Sequence, residues 1–153
     1  MKVERIEAKR FHCGRLARLM RYEHAAIIAG HPHIKAHRNI VQFFDQSSAI
    51  RAWTIDGELV ALAGVTGSRM DASGIAWLVL SEKAQAHPIA VSREALKFMD
   101  WLRITKNDIT IVILADDKKA IQFAYFLDFK SDRRETIDGV ETILMSARPR
   151  KAA

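Results

Sequence analysis

The spacing of apolar residues along the chain predicts seven strands and four helices. Short stretches that are apolar at nearly every position, or at alternate positions, indicate strands, whereas apolar residues at three- and four-residue steps indicate helices. The strands are predicted at 2–7, 50–55, 59–65, 75–80, 109–114, 133–137 and 140–147, and the helices at 11–28, 34–44, 91–104 and 117–127. The order is strand, two helices, three strands, helix, strand, helix and two strands, which predicts an α+β fold.

The clearest single unit is a strand that runs directly into a helix. Residues 109–114 are apolar at nearly every position, which is typical of a strand covered on both faces. Asp116 or Asp117 is predicted to cap the helix that follows, because a short carboxylate accepts hydrogen bonds from the unpaired amides of the first turn. One apolar face of this helix is predicted to pack back onto the sheet: Ala120, Phe123, Ala124 and Leu127.

Residues typical of turns separate several of the predicted strands and helices. Asp56-Gly57 and Asp138-Gly139 each separate two strands, and they predict tight hairpins because glycine accepts a positive φ. Gly30, His31 and Pro32 interrupt the helical pattern between the first two helices, and Pro88 ends the loop before the third. No repeat or internal linker is found, so residues 1–147 are predicted to form a single domain, followed by a basic tail at 148–153.

Composition restricts the class of protein. A chain of 153 residues can bury a core without metal or disulfide staples, and the single cysteine, Cys13, is expected to be a small core residue rather than a nucleophile. No apolar run reaches the roughly 18 residues that span a bilayer, and residues 1–10 lack the apolar core of a signal peptide. We therefore expect a cytoplasmic protein without a membrane partner.

Charge favours an anionic partner. The net charge is +6, which suits a phosphorylated cofactor, a nucleic acid or an acidic protein surface, and does not choose among them. Four arginines recur along the first helix and are interpreted as a solvated face, because Glu23 and apolar residues interleave with them: Arg10, Arg15, Arg18 and Arg21.

A group of histidines surrounds Pro32. Neutral imidazoles bind zinc or nickel, but no cysteine or carboxylate completes a recognised ligand spacing here. A polar loop between helices is the preferred interpretation, and no metal site is predicted. The histidines concerned are His24, His31, His33 and His37.

Two motifs resemble those of the GNAT acetyltransferases, and the element order matches the topology of that superfamily over almost the whole chain. The first family motif, Q/R-x-x-G-x-G/A, corresponds to residues 85–90, where Gln85 and Ala90 fit and Pro88 replaces a glycine. In the family, the amides of this loop and of the helix after it hold the pyrophosphate of coenzyme A (CoA). Proline has no amide hydrogen, so this loop is expected to bind the cofactor differently or not at all.

The second motif, N-x-x-A-x-x-L/F-Y-x-x-x-G-F, falls on residues 117–129 without a gap. Ala120, Phe123 and Phe129 agree with it, while Ala124 stands at the tyrosine position and Asp128 at the glycine position. In many members that tyrosine donates a proton to the departing thiolate. Tyr125 is adjacent, but a helix turns about 100° per residue, so its side chain should point elsewhere unless the register shifts.

The resemblance implies a central, mixed and mostly antiparallel sheet of six to seven strands with about four helices. It also implies direct transfer of an acetyl group from acetyl-CoA, or of another acyl group from its acyl-CoA, to an unidentified amine. Glu82, as general base, and Tyr125 are the catalytic candidates, with a solvated loop glutamate as the alternative for Glu82. The cofactor-binding candidates are Val79, Leu80, Ser81, Gln85, His87, Ala90, Asp117 and Ala120, and a plain loop histidine is the alternative for His87.

A second resemblance implies a different class of function. The hairpin at 57–64, the strand end at 77–81 and the helix at 120–123 also look like the small internal virion proteins of T7-like podophages, which are GNAT-like domains. On that interpretation the cleft is noncatalytic, the basic surface contacts virion proteins or DNA, and the protein lies in the virion or the host cytoplasm. Assembly into a homo-oligomer stays open.

Overall fold

The computed structural model describes residues 1–19, 36–68, 70–137 and 139–147. Their strands are β1 (Val3–Ile6), β2 (Ser47–Ile55), β3 (Glu58–Thr66), β4 (Ser73–Leu80), β5 (Asp108–Leu114), β6 (Lys130–Ile137) and β7 (Val140–Ala147). Their helices are α1 (Phe11–Leu19), α2 (Ala36–Gln46), α3 (Glu82–Gln85), α4 (Pro88–Thr105) and α5 (Lys118–Phe126). None of these helices is both long and apolar enough to cross a bilayer.

All seven strands form one sheet in the order β1-β2-β3-β4-β5-β7-β6. Neighbouring strands are antiparallel except β4 and β5, which run parallel and are joined through α3 and α4. A parallel pair needs such a crossover connection, because the chain must return to the same end of the sheet. The α+β class and the mostly antiparallel sheet are therefore confirmed.

Apolar side chains form a core on each face of the sheet. Successive residues of a strand point to opposite faces, so Ala52 and Trp53 belong to different cores. Cys13, Leu16 and Ile40 of α1 and α2 pack with Ala52, Leu62, Trp77 and Val79 on one face. Phe98, Met99 and Leu102 of α4 and Ala124 of α5 pack with Trp53, Val65, Ile109 and Ile113 on the other.

Cys13 is a core residue, as predicted. It is fully buried, and this burial raises the pKa of its thiol to about 11. Little thiolate forms near neutral pH at that value, so the side chain acts as a small apolar group rather than a nucleophile.

One helix was not predicted and several boundaries were misplaced. Residues 82–85 were expected to be loop but form α3. This helix is a single turn, which is too short to show a period of apolar residues. Its N-terminal cap is Ser81, whose Oγ accepts a hydrogen bond from the Ala84 amide at 3.3 Å. Strand β2 begins at Ser47 rather than at residue 50, because the Ser47 hydroxyl donates to the Phe43 carbonyl and accepts from the Trp77 indole. Helix α4 begins at Pro88, which suits a first helical position.

Strand β6 is an outer edge of the sheet and is strongly charged. Its exposed charged side chains are Lys130, Asp132, Arg133, Arg134 and Glu135. Its inner edge pairs with β7, while its outer edge has no partner strand among the described residues.

Some predictions fall outside the described residues. They are the end of the first helix beyond Leu19, the start of the second before Ala36, the Asp138 half of the last turn, the basic tail, and His24, His31 and His33 together with the side chain of His37. Of the four arginines along the first helix, Arg10 donates to the Asp45 carboxylate at 3.1 Å, Arg15 and Arg18 are exposed, and Arg21 is not described.

Candidate active site

Strands β4 and β5 are paired at one end and separate towards the other, and we call this arrangement the fork. They pair only where Ser73, Gly74 and Ile75 lie beside Asp108, Ile109 and Thr110. Beyond that point β4 remains paired with β3 as far as Leu80, and β5 remains paired with β7 as far as Leu114. The facing backbone edges of 76–80 and 111–114 therefore line an opening, where amide and carbonyl groups are available to a ligand.

A buried lysine stabilises the closed end of this fork. Lys106 is only 2% exposed, and its ammonium donates to the carbonyl oxygens of Ser68 at 2.7 Å and Asp71 at 2.8 Å. The Ala72 carbonyl accepts the amides of Asn107 and Asp108 at 2.7 and 3.1 Å. These bonds fix the β3–β4 loop to the start of β5.

Gly74 allows β3 and β4 to approach each other closely at the closed end of the fork. A Cβ atom at this position would lie 2.7 Å from the Thr66 carbonyl oxygen and 2.7 Å from Val65 Cγ2. Only a residue without a side chain fits there.

The first turn of α4 lies just after the predicted cofactor loop. The amides of Ala86 and His87 already donate to Lys83 and Ala84, at 3.2 and 3.0 Å. His87 is the residue before the helix, and its side chain makes no capping hydrogen bond. The next amides, those of Ile89 and Ala90, belong to the first turn and have no acceptor within the helix, so they are directed at whatever lies before it.

Gln85 ends α3 beside this turn. Its Nε2 atom is buried and has no hydrogen-bond partner in the described part of the chain. A buried amide donor without an acceptor is unfavourable, which is typical of a site that a polar ligand completes.

A groove of about 460 Å³ runs between α4 and α5. Its lining is mostly apolar and includes one cation: Pro88, Ile89, Ser92, Arg93, Leu96 and Phe126. An apolar lining with one cation suits a ligand that has an apolar part and an anionic group. The sequence pattern identified neither Arg93 nor Phe126, because an exposed residue on a helix gives no periodic signal.

Helix α5 places the residues of the second motif. Asp117 is its cap, and Asp117 Oδ1 accepts the Ala120 amide at 3.1 Å. Ala124 is 2% exposed and packs in the core, whereas Tyr125, on the next position, is 53% exposed. The structure therefore places the Tyr125 ring at the surface.

The end of α5 explains the glycine position of the family motif. Asp128 has a φ of +71°, in the left-handed region. Its amide donates to Tyr125 at 3.0 Å, and the Phe129 amide donates to Ala124 at 3.0 Å, which is the Schellman pattern. Sequence analysis placed Asp128 at the glycine position of the motif, and the structure shows why that position favours glycine: its backbone is in the left-handed region.

A second opening, of about 360 Å³, lies at the carboxyl end of β4. It is lined by both cations and carboxylates: Arg18, Leu19, Glu58, Ser81, Glu82 and Lys83. Lys83 Nζ lies 3.4 Å from Glu58 Oε2. Glu82 is exposed at the start of α3, and Val79 and Ser81 are buried. The structure thus brings Ser81 and Glu82 together at this opening, while Tyr125 lies on a different element.

Among the described residues, no group of three or more histidine, cysteine or carboxylate side chains is arranged to hold a metal ion. His87 is half-buried before α4 and Ala90 half-buried in its first turn. Leu80 and Ala120 are also half-buried and pack against the core that α4 and α5 share.

Comparison with known proteins identifies the fold. No family model and no curated protein matches the chain. Among solved structures, spermidine N-acetyltransferase from Vibrio cholerae in complex with CoA and spermine matches with a TM-score of 0.74 at 10% identity, over 97% of this chain and 96% of that one. AAC(6')-Ib in complex with ribostamycin and coenzyme A matches with a TM-score of 0.73 at 12% identity, over 100% and 99%.

An acetyltransferase of the GNAT family from Streptococcus pneumoniae matches with a TM-score of 0.70 at 10% identity, over 96% of this chain and 99% of that one. The chain therefore has the GNAT fold over nearly its whole length. At such low identity the likeness concerns the fold, and function must be argued from the site.

Proposed function

We propose that this protein is an acyl-CoA-dependent N-acyltransferase that transfers an acetyl group to an amine. The observation that carries the proposal is the fork between β4 and β5, together with the groove lined by α4, which leads from β4 to β5, and by α5, which follows β5. The solved structures with the same fold include N-acetyltransferases, several of them in complex with CoA. The fork and the groove supply the two parts of a site for such a cofactor.

The residues present fit coenzyme A. Its phosphates need donors, and the unbonded amides of Ile89 and Ala90, the orphaned amide of Gln85 and the cation of Arg93 are donors near the start of α4. The loop before Pro88 offers less, because its amides are bonded within α3. Phosphate binding is therefore assigned to the helix turn rather than to the loop.

When bound, acetyl-CoA supplies the thioester whose acetyl group is transferred. We assign the backbone from Val79 to Ser81 to the thioester carbonyl, because amides at a fixed strand end stabilise developing negative charge without reorganisation. The Ser81 amide already donates to the Val60 carbonyl of β3 at 2.9 Å, and successive amides of a strand point in opposite directions, so the Leu80 amide is the donor that faces away from β3. Asp117 and Ala120 lie at the start of α5, the helix that follows β5.

The acceptor amine is assigned to the opening beside Ser81. Glu82 lines that opening and is our candidate for the base that removes the amine proton. Tyr125 is exposed, and Ala124 cannot donate a proton, so no acid is assigned to the departing thiolate. A thiol has a pKa near about 8.5, so its anion leaves without full protonation and the reaction can proceed without this tyrosine.

Titration calorimetry with acetyl-CoA tests the proposal. We expect micromolar binding and release of free CoA when a panel of polyamines, amino sugars and peptide amino termini is added. Absence of binding at millimolar acetyl-CoA contradicts the proposal. The alternative of a noncatalytic virion protein stays a prediction, and no feature of the described residues favours it over the enzyme.

A further inference from the structure

Arg103 connects the carboxyl ends of the two helices that form the groove. It lies in the last turn of α4, and its Nη2 donates to the Leu127 carbonyl oxygen at 2.9 Å. Leu127 is the residue that ends α5. The Arg103 side chain is only 10% exposed, and its other ionic contact is with Asp100, 3.8 Å away on the same helix.

The position is electrostatically favourable for a buried cation. The last carbonyl groups of a helix have no intrahelical partner and carry partial negative charge. Arg103 lies in the last turn of α4, where its positive charge is favourable, and it donates a hydrogen bond to the Leu127 carbonyl at the end of α5. One guanidinium therefore stabilises the carboxyl ends of both helices. Its Nε is buried and has no hydrogen-bond partner among the residues that the structure describes, so the geometry favours the contact with Leu127 at the cost of an unused donor.

The contact bears directly on the wall of the groove. Phe126 lines the groove and immediately precedes Leu127. After Leu127 the backbone takes the strained left-handed turn at Asp128 and then buries Phe129. The end of α5 is thus fixed in two ways: the following residue Phe129 is buried in the core, and Arg103 of α4 donates to the Leu127 carbonyl.

We propose that Arg103 is a positioning residue that sets the separation of α4 and α5 and thereby holds Phe126 against the bound cofactor. It contacts no reacting atom. The inference rests on the proposed function, because it assigns the groove to the acyl-CoA. Misplacing a binding wall by about 1 Å can cost up to about a hundredfold in the reaction it serves.

The test compares Arg103→Met and Arg103→Lys with the control Lys97→Met. Lys97 lies on the same helix, and its ion pair with Glu94 is exposed. For each purified protein, CoA affinity is measured by calorimetry, the KM for acetyl-CoA and kcat are measured separately, and amide hydrogen exchange is followed at Asp128 and Phe129.

We expect Arg103→Met to weaken CoA binding and raise the KM for acetyl-CoA by roughly tenfold or more, with a smaller change in kcat. Exchange at Asp128 and Phe129 should accelerate because the last turn of α5 loosens. Arg103→Lys keeps the charge and one donor, so it should recover part of the affinity, and Lys97→Met should match the original protein.

Unchanged affinity and KM in Arg103→Met overturn the inference, as does a loss of thermal stability with no change in affinity at a temperature where the variant is folded. If the original protein does not bind CoA, the proposed function fails instead. The exchange measurement then decides the structural part alone: unchanged exchange at Asp128 and Phe129 in Arg103→Met overturns it as well.

Discussion

The two ends of the β4–β5 pair differ in how their polar groups are bonded. At the closed end, the carbonyls of Ser68, Asp71 and Ala72 all accept hydrogen bonds from the segment at 106–108. At the open end, the facing strand edges, the first amides of α4 and the Gln85 amide have no such partners within the described ranges of the chain. The closed end thus contributes stability, and the open end keeps donors available for a ligand.

Loss of the buried lysine should give the largest effect on stability. Lys106→Met leaves the carbonyls of Ser68 and Asp71 without their charged donor, and we expect the free energy of unfolding to fall by about 3 kcal/mol. Urea denaturation measures the change. Lys119→Met, on an exposed position of α5, is the control and should change stability little. A loss as small as that of the control would mean that the closed end is not fixed by Lys106.

Filling the space at the closest approach should have the next largest effect. Gly74→Ala places a methyl group in contact with backbone, which cannot move aside as a flexible side chain can, so we expect a loss of about 2 kcal/mol. Thermal unfolding measures it, with the exposed neighbour Ser73→Ala as control. An unchanged melting temperature would show that β3 and β4 separate readily at this end.

A change at the open end should reduce binding and leave stability intact. Gln85→Glu replaces an amide donor by a carboxylate beside the assigned phosphate site, so we expect CoA affinity to fall about tenfold, since hydrogen bonds to charged groups contribute about 1.5–3 kcal/mol. Calorimetry and thermal unfolding are run together. Gln122→Glu makes the same change at an exposed position of α5 and should leave the affinity unaltered. Equal losses of CoA affinity in both variants would show that the added negative charge, rather than the loss of the Gln85 donor, causes the effect.

The smallest expected effect is a gain in stability. Asp128→Gly relieves a side chain held at positive φ, and we expect about 0.5–1 kcal/mol of stabilisation. Urea denaturation measures it. Asp128→Ala keeps a Cβ in the same backbone conformation and should not stabilise. If both variants were equally stable, the backbone conformation at residue 128 would not be the cause.

Sequence reasoning predicted the order of the long strands and helices along the chain, because each of them has its own period of apolar residues. It also located the cap of α5 at Asp116 or Asp117, since a carboxylate before an apolar helical pattern is a local signal. A single helical turn is too short to give a periodic signal, and α3 was therefore interpreted as loop.

Features that depend on distant residues could not be predicted. Lysine and arginine are usually exposed, so nothing in the pattern marks Lys106 or Arg103 as buried. The point where β4 and β5 separate depends on the register of two strands joined by two helices, which no local period encodes. The assignments of Glu82 and Tyr125 to catalysis stay predictions.

The charged edge strand β6 has a consequence for how copies of the chain can meet. A second molecule that extended the sheet there would have to remove water from these charged side chains, and that cost would oppose the added backbone hydrogen bonds. The edge therefore acts against aggregation at high concentration, and any homo-oligomer should form through another surface.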